Sequence, residues 1–374
     1  MGIPISIDPT WLIIFAVLTF ELSTGVLPTA LGFSRRRGVN IETILLGLLT
    51  SLLFFGSVLA HELSHSWMAL KRGIPVLGIT LFIFGGVAQI GDEADRPSTE
   101  FLVAIMGPLM SLALACVFAV FWIWPLALFY YWPDTRTWLL PVAVVASYLS
   151  TTNGILVVFN LLPGFPMDGG RVLRALLWGR SHDLPRSTRI AMLIGRGIAV
   201  LLVLFGIWSI WQSGFNGVWW LLIGGFLWNA AGEAYRSTLF RESLKNVAVG
   251  NIMSIPIAPV PANLGLSNFI EQYLIPYRGG VYRIEQEGRT VGLVGGGQVR
   301  DIPRERWQSL TVQEVMLTPS AENVTPQDSA LTVFKKLTQR AGQDGKELPV
   351  VHEGQLVGLV GHPELARYLD LKAK

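Results

Sequence analysis

The sequence predicts a polytopic α-helical membrane domain followed by a soluble α+β domain built from a tandem repeat. Residues 1–235 are mostly long apolar runs, whereas 245–374 have the mixed composition of ordinary soluble protein. Of the 374 residues, 51% are hydrophobic and 15% charged, against about a quarter charged in a typical soluble chain. Mean hydropathy is +0.48. Residues 247–370 run twice through one order of segments. The expected domains are therefore 1–240 for the membrane part, then repeats at 247–305 and 310–370.

A helix needs about 20 residues to cross the hydrocarbon core. Six stretches are long and apolar enough: about 10–28, 41–70, 101–124, 138–162, 190–212 and 217–235. Between the second and third lies VLGITLFIFGGVAQIGD, residues 76–92, with Gly85 and Gly86 at its centre. Its β-branched and aromatic content predicts a membrane-associated β-hairpin with a glycine turn. Backbone of that kind at membrane depth must be buried in protein or line a wet cavity. The opening MGIPISIDPTW has no basic n-region or small-residue cleavage site, so the first span is expected to stay.

Net charge is +3. The basic residues gather in loops beside the apolar runs, a pattern that reports membrane topology rather than nucleic acid. Lys71 and Arg72 close the second span, Arg171, Arg174, Arg180, Arg186 and Arg189 follow the fourth, and Arg236, Arg241 and Lys245 follow the sixth. Six crossings with these clusters inside place both termini and the soluble domain in the cytoplasm. The cluster SRRRG in the first loop opposes this and is outvoted. Cys116 is the single cysteine, which excludes an intramolecular disulfide or a thiolate metal cluster. Its apolar run predicts a buried structural thiol.

Each repeat reads as a helix with Met, a short strand, a helix, a strand, a turn and a strand VGLVG. Such a duplicated αβ unit buries its sheets by pairing with its copy.

The chemistry centres on FFGSVLAHELSHSWMAL, residues 54–70. Ionisable groups in a membrane helix are costly and mark function by default. His61 and His65 are four residues apart, hence on one helix face. Glu62 sits beside them in the H-E-x-x-H arrangement of zinc hydrolases. Two imidazoles suit Zn²⁺, and the glutamate stays free to take a proton from water. A catalytic zinc wants a third protein ligand. His182 lies in a polar loop, and His352 and His362 lie in the soluble repeat. The better candidate is Asp168 in NGILVVFNLLPGFPMDGGRVLRA, where Pro163 and Pro166 break the helix and Gly169 and Gly170 permit close approach. The alternative is that Asp168 only caps the helix that follows. His61 lies ten residues before Lys71, about 15 Å along the helix, and Asp168 lies just before Arg171, so the two share one side of the membrane. Asn160 either bonds between helices or donates to an oxyanion. Asn153 is expected to pack between helices.

HELSH, FGGVA, GPLMS and FNLLPGFPMDGGR, in that order, resemble the site-2 protease family of intramembrane zinc metalloproteases. The resemblance covers residues 1 to about 235. It implies one Zn²⁺ per chain held by His61, His65 and Asp168, Glu62 as general base, Asn160 near the oxyanion, and a hairpin lining the substrate path. Ser64 stands where the family more commonly has glycine. The C-terminal repeat looks like a pair of CBS domains, an appendage of one branch of this family, and such pairs often bind adenine nucleotides. The family's ribose-holding threonine or serine and aspartate are replaced by Gly295 and Gln298 in one copy and by Gly361 and Glu364 in the other, so a structural or partner-binding module stands beside nucleotide binding. The resemblance further implies transmembrane protein substrates, a bacterial-type cell membrane, and a route to homo-oligomers through the CBS pair. A CBS-regulated ion transporter or channel is the rival reading, and no inverted repeat among the spans supports it. A pseudoprotease is a third, opposed by the intact metal set.

Overall fold

The computed structural model describes residues 2–32, 40–213, 217–276, 280–300, 302–318, 323–339 and 347–372. The SRRRG cluster lies outside them. The chain divides into two compact units, Met1–Thr238 and Leu239–Lys374.

The first unit is helical. α1 (Pro9–Glu21) starts where the Thr10 backbone N–H donates to Asp8 Oδ1 at 2.9 Å, with Pro9 at the first helical position, where its missing N–H costs nothing. A π-helical turn, Leu22–Val26, joins α1 to α2 (Leu27–Ala30). α3 (Ile41–Lys71) is opened by a capping box between Asn40 and Thr43 and closed by Gly73 at φ +78°. Then come α4 (Pro97–Tyr131), α5 (Arg136–Asn160), α6 (Asp168–Ser181), α7 (Leu184–Ser213) and α8 (Val218–Lys245), whose residues from Leu239 onward belong to the second unit. Among the described residues, five helical stretches are long and apolar enough to cross a membrane: Pro9–Ala30, Ile41–Lys71, Pro97–Tyr131, Pro133–Asn160 and Leu184–Gln212. The sixth expected span forms the first half of α8 but is not among those five, since Asn229 and Glu233 interrupt its apolar run. Cys116 is exposed on α4, not buried as expected. Apolarity does not imply burial where a helix faces lipid.

A small sheet accompanies the helices. β2 (Val76–Phe82) pairs antiparallel with β3 (Gly85–Ile90), and β1 (Ile5–Ile7) adds parallel to β2, giving the order β1-β2-β3. The tight turn is Ile83–Phe84, since Phe82 pairs with Gly85. The glycines expected at the turn are the first two residues of β3. Gly85 needs its φ of +130°, which only glycine adopts readily, and Gly86 is required by a neighbour described below.

The second unit holds β4 (Pro256–Pro261), α9 (Leu266–Phe269), β5 (Val281–Gln286), β6 (Arg289–Gly295), α10 (Gly296–Arg300), α11 (Val312–Val315), α12 (Ala330–Gln339), β7 (Glu347–His352), β8 (Gln355–Gly361) and α13 (His362–Lys372). Its two cores are interleaved. Val247 and Val249, at the head of the first repeat, pack with Val324, Val350 and Val360 of the second. Val312, at the head of the second, packs with Val260, Tyr282 and Val294 of the first. Met253 lies against Gly358 of β8 and Met316 against Gly292 of β6. Each repeat thus completes the other's hydrophobic core, which ties the two into one unit.

Candidate metal centre

α3 brings His61 and His65 onto one buried face, and α4 lies across it. Val103, Gly107 and Ser111 recur every four residues along α4 and form the stripe that meets the imidazoles. His65 Nδ1 is 2.7 Å from the Val103 carbonyl oxygen. A carbonyl can only accept, so Nδ1 carries the proton and Nε2 presents its lone pair. His61 Nδ1 is 2.9 Å from Ser111 Oγ. Between these two contacts a side chain on Gly107 would collide with Nε2 of both histidines, so only glycine leaves room.

The third group arrives on the loop between α5 and α6. Pro163 and Pro166 end the helical hydrogen bonding, and the loop is pressed tightly into the domain. Phe165 N–H donates to the Ala191 carbonyl at 3.1 Å, and Gly169 packs directly on the Leu161 and Leu162 carbonyls. Asp168 emerges as the first residue of α6, with Met167 at the N-cap position. Its carboxylate faces the histidines rather than serving only as a cap: Oδ2 is 3.1 Å from His61 Nε2 and 3.2 Å from His65 Nε2. The two Nε2 atoms are 3.2 Å apart.

Two imidazole nitrogens and a carboxylate oxygen therefore converge. With each imidazole protonated at Nδ1, all three facing atoms are acceptors, and a shared cation resolves the conflict. The donor set is that of a catalytic zinc site with one position left open. Ligand atoms 2.0–2.1 Å from a tetrahedral ion are about 3.3–3.4 Å apart, close to the separations found, so the residues fit the ion.

Glu62 follows His61 on α3 and is partly buried. β3 passes over it: a side chain on Gly86 would collide with Glu62 Cγ. Ser64 donates to the His61 carbonyl at 2.6 Å, an ordinary bond to its own helix that shows why serine is accepted there. Asn160 is the last residue of α5, partly buried, and among the described residues no hydrogen bond ties its side chain to His61, His65 or Asp168. Asn153 is buried; its Nδ2 donates to its own helix at Leu149, and its Oδ1 has no partner among the described residues. His182 ends α6 in the left-handed conformation, and His352 and His362 belong to the second unit. Val103 was passed over by the sequence reading, and Gly107 and Ser111 entered it only as the ends of GPLMS, with no role assigned. Their signal is the four-residue spacing within an otherwise featureless apolar helix.

The model of peptidase family M50 matches residues 49–130 and 125–204. A Mycobacterium tuberculosis protein that carries the name zinc metalloprotease Rip3 is 31% identical over 99% of this chain and 91% of its own length. Among solved structures, the site-2 protease from Methanocaldococcus jannaschii is 28% identical, covering 63% of this chain and 92% of that one, with a TM-score of 0.40. The CBS domain of a membrane protein from Sphaerobacter thermophilus is 21% identical, covering 36% of this chain and 96% of that one, with a TM-score of 0.27. The H-E-x-x-H helix, the distant aspartate and a relative matched along nearly the whole chain agree: this chain belongs to peptidase family M50, the site-2 protease family of zinc metalloproteases, and zinc is its expected cofactor.

Proposed function

We propose that the chain hydrolyses peptide bonds within transmembrane segments of membrane-anchored proteins, with zinc held by His61, His65 and Asp168. The convergence of those three groups beside Glu62 and under β3 carries the proposal. When bound, zinc lowers the pKa of water and polarises a carbonyl. Glu62 takes the proton from the attacking water and returns it to the leaving amine. Asn160, whose side chain makes no hydrogen bond among the described residues, donates to the developing oxyanion. A helical substrate hides its carbonyls, so it must unwind. β3 is an edge strand, and an unwound segment pairs with it by strand addition, beside Glu62.

Glu62→Gln is the test. It keeps the shape and removes the base, so cleavage of a membrane-inserted substrate falls by about 10²–10⁴-fold while zinc stays bound. Undiminished cleavage overturns the proposal. Liposome ion flux, expected to be absent, separates it from transport.

The second unit serves in this proposal as a cytoplasmic regulatory module. α8 is taken as the sixth crossing, because Trp219, Trp220, Leu222 and Trp228 are exposed along its first half; both termini are then cytoplasmic. In the CBS-like pair, Gln298 accepts from Gly295 N–H at 2.8 Å and donates to Glu347 at 2.8 Å. Glu364 accepts from Gly361 N–H at 2.9 Å and from Ser254 at 2.8 Å. The positions where the family holds ribose are engaged internally, which favours regulation by a partner or a second copy over adenine nucleotide.

A further inference from the structure

The stripe on α4 begins one turn before Val103. Glu100, Val103, Gly107 and Ser111 share one helix face, and Glu100 is 1% exposed. Its partner is Arg174, 7% exposed, six residues after Asp168 on α6. Arg174 Nε donates to Glu100 Oε1 at 2.6 Å, and Nη2 pairs with the same oxygen. The guanidinium also lies over the ring of Phe165, 5.1 Å from its centre, and Phe165 is three residues before Asp168. Arg174 therefore grips both the helix and the loop that present the carboxylate. α4 holds the histidines of α3 through Val103 and Ser111, and holds the aspartate's helix through Glu100.

Two further elements meet this cation. Nη1 donates to Thr238 Oγ1 on α8 at 3.3 Å and lies 3.8 Å from Glu93 Oε1, in the segment that leaves the hairpin. A planar guanidinium with several donors can satisfy such a set where a lysine cannot.

We propose that Arg174, acting through Glu100, is a positioning residue of the metal centre: the pair fixes Asp168 in register with His61 and His65, and links that register to the hairpin and to α8. The inference rests on the zinc-ligand reading above.

The test uses the full chain in detergent as wild type, Glu100→Gln, Arg174→Lys and Arg174→Met. Zinc affinity is read by competition with a chelator, kcat and KM on a membrane-inserted substrate, and Tm on the zinc-free protein. Glu100→Gln and Arg174→Met should hold zinc about 10–100-fold more weakly, as for other residues that orient ligands. Their kcat should fall with KM little changed, and Arg174→Lys should recover part of both. If Arg174→Met does not fold, the near-isosteric Glu100→Gln decides. Wild-type zinc affinity and kcat in Glu100→Gln overturn the proposal, as does a loss of affinity that merely tracks the zinc-free Tm. A wild type that binds no zinc sinks the ligand reading itself and this inference with it, which is a separate outcome.

Discussion

The metal cluster of the first unit and the Gln298–Glu347 and Ser254–Glu364 pairs of the second are both partly or wholly buried polar groups, yet they are built oppositely. In the second unit each group finds a complement: an amide oxygen takes a backbone N–H, an amide nitrogen reaches a carboxylate, and a serine reaches another carboxylate. In the first, His61 Nε2, His65 Nε2 and Asp168 Oδ2 turn toward one another while α4 takes up the opposite ring nitrogens. Paired groups hold a fold together. Groups of one kind, gathered and backed by fixed neighbours, await something from outside the chain.

Three substitutions test that contrast. The largest effect is expected from Gly107→Val. Its side chain would enter the space between the two Nε2 atoms, so zinc per chain should fall toward zero by atomic absorption; full occupancy would break the contrast. Ser111→Ala removes the partner of His61 Nδ1 and should weaken zinc by about 10–100-fold in chelator competition. Unchanged affinity would show that packing alone orients the ring. The smallest effect belongs to the second unit. Burial raises the Glu347 carboxyl above the ordinary glutamate range; the Gln298 bond opposes this, Glu364 adds to it, and Arg300 opposes it. Glu347 thus binds its proton more tightly when folded, so its contribution is fullest at low pH and fades as pH rises through the raised value. Glu347→Gln should flatten the pH dependence of amide exchange across β7, and an unchanged slope would remove Glu347 as its source.

The sequence carried this site unevenly. His61 and His65 were legible because helical spacing and the cost of burying charge in an apolar run point the same way. Asp168 was legible because prolines and glycines break the run at the right depth. Gly107 and Ser111 came to notice only as the ends of GPLMS, with no role attached; their four-residue spacing with Val103 is a helical signal, but small residues among apolar neighbours make it faint. The hairpin's glycines were seen, but their reason was misplaced: Gly86 is demanded by Glu62, a contact across the chain, and not by the turn. β1 is three residues long, too short for alternation to show. Cys116 was misjudged because hydrophobicity predicts the inside only where the surroundings are water. The interleaved cores depend on contacts between repeats, which no local window reveals.

The gathered lone pairs carry a consequence for the life of the protein. Under the proposed ligand set, the ion binds the folded chain and has little to hold in the unfolded one. Each tenfold rise in free zinc above the dissociation constant then adds about 1.4 kcal/mol to the folded state. A cell short of zinc would lose the enzyme by turnover as well as by inactivity, so abundance and competence would rise and fall together.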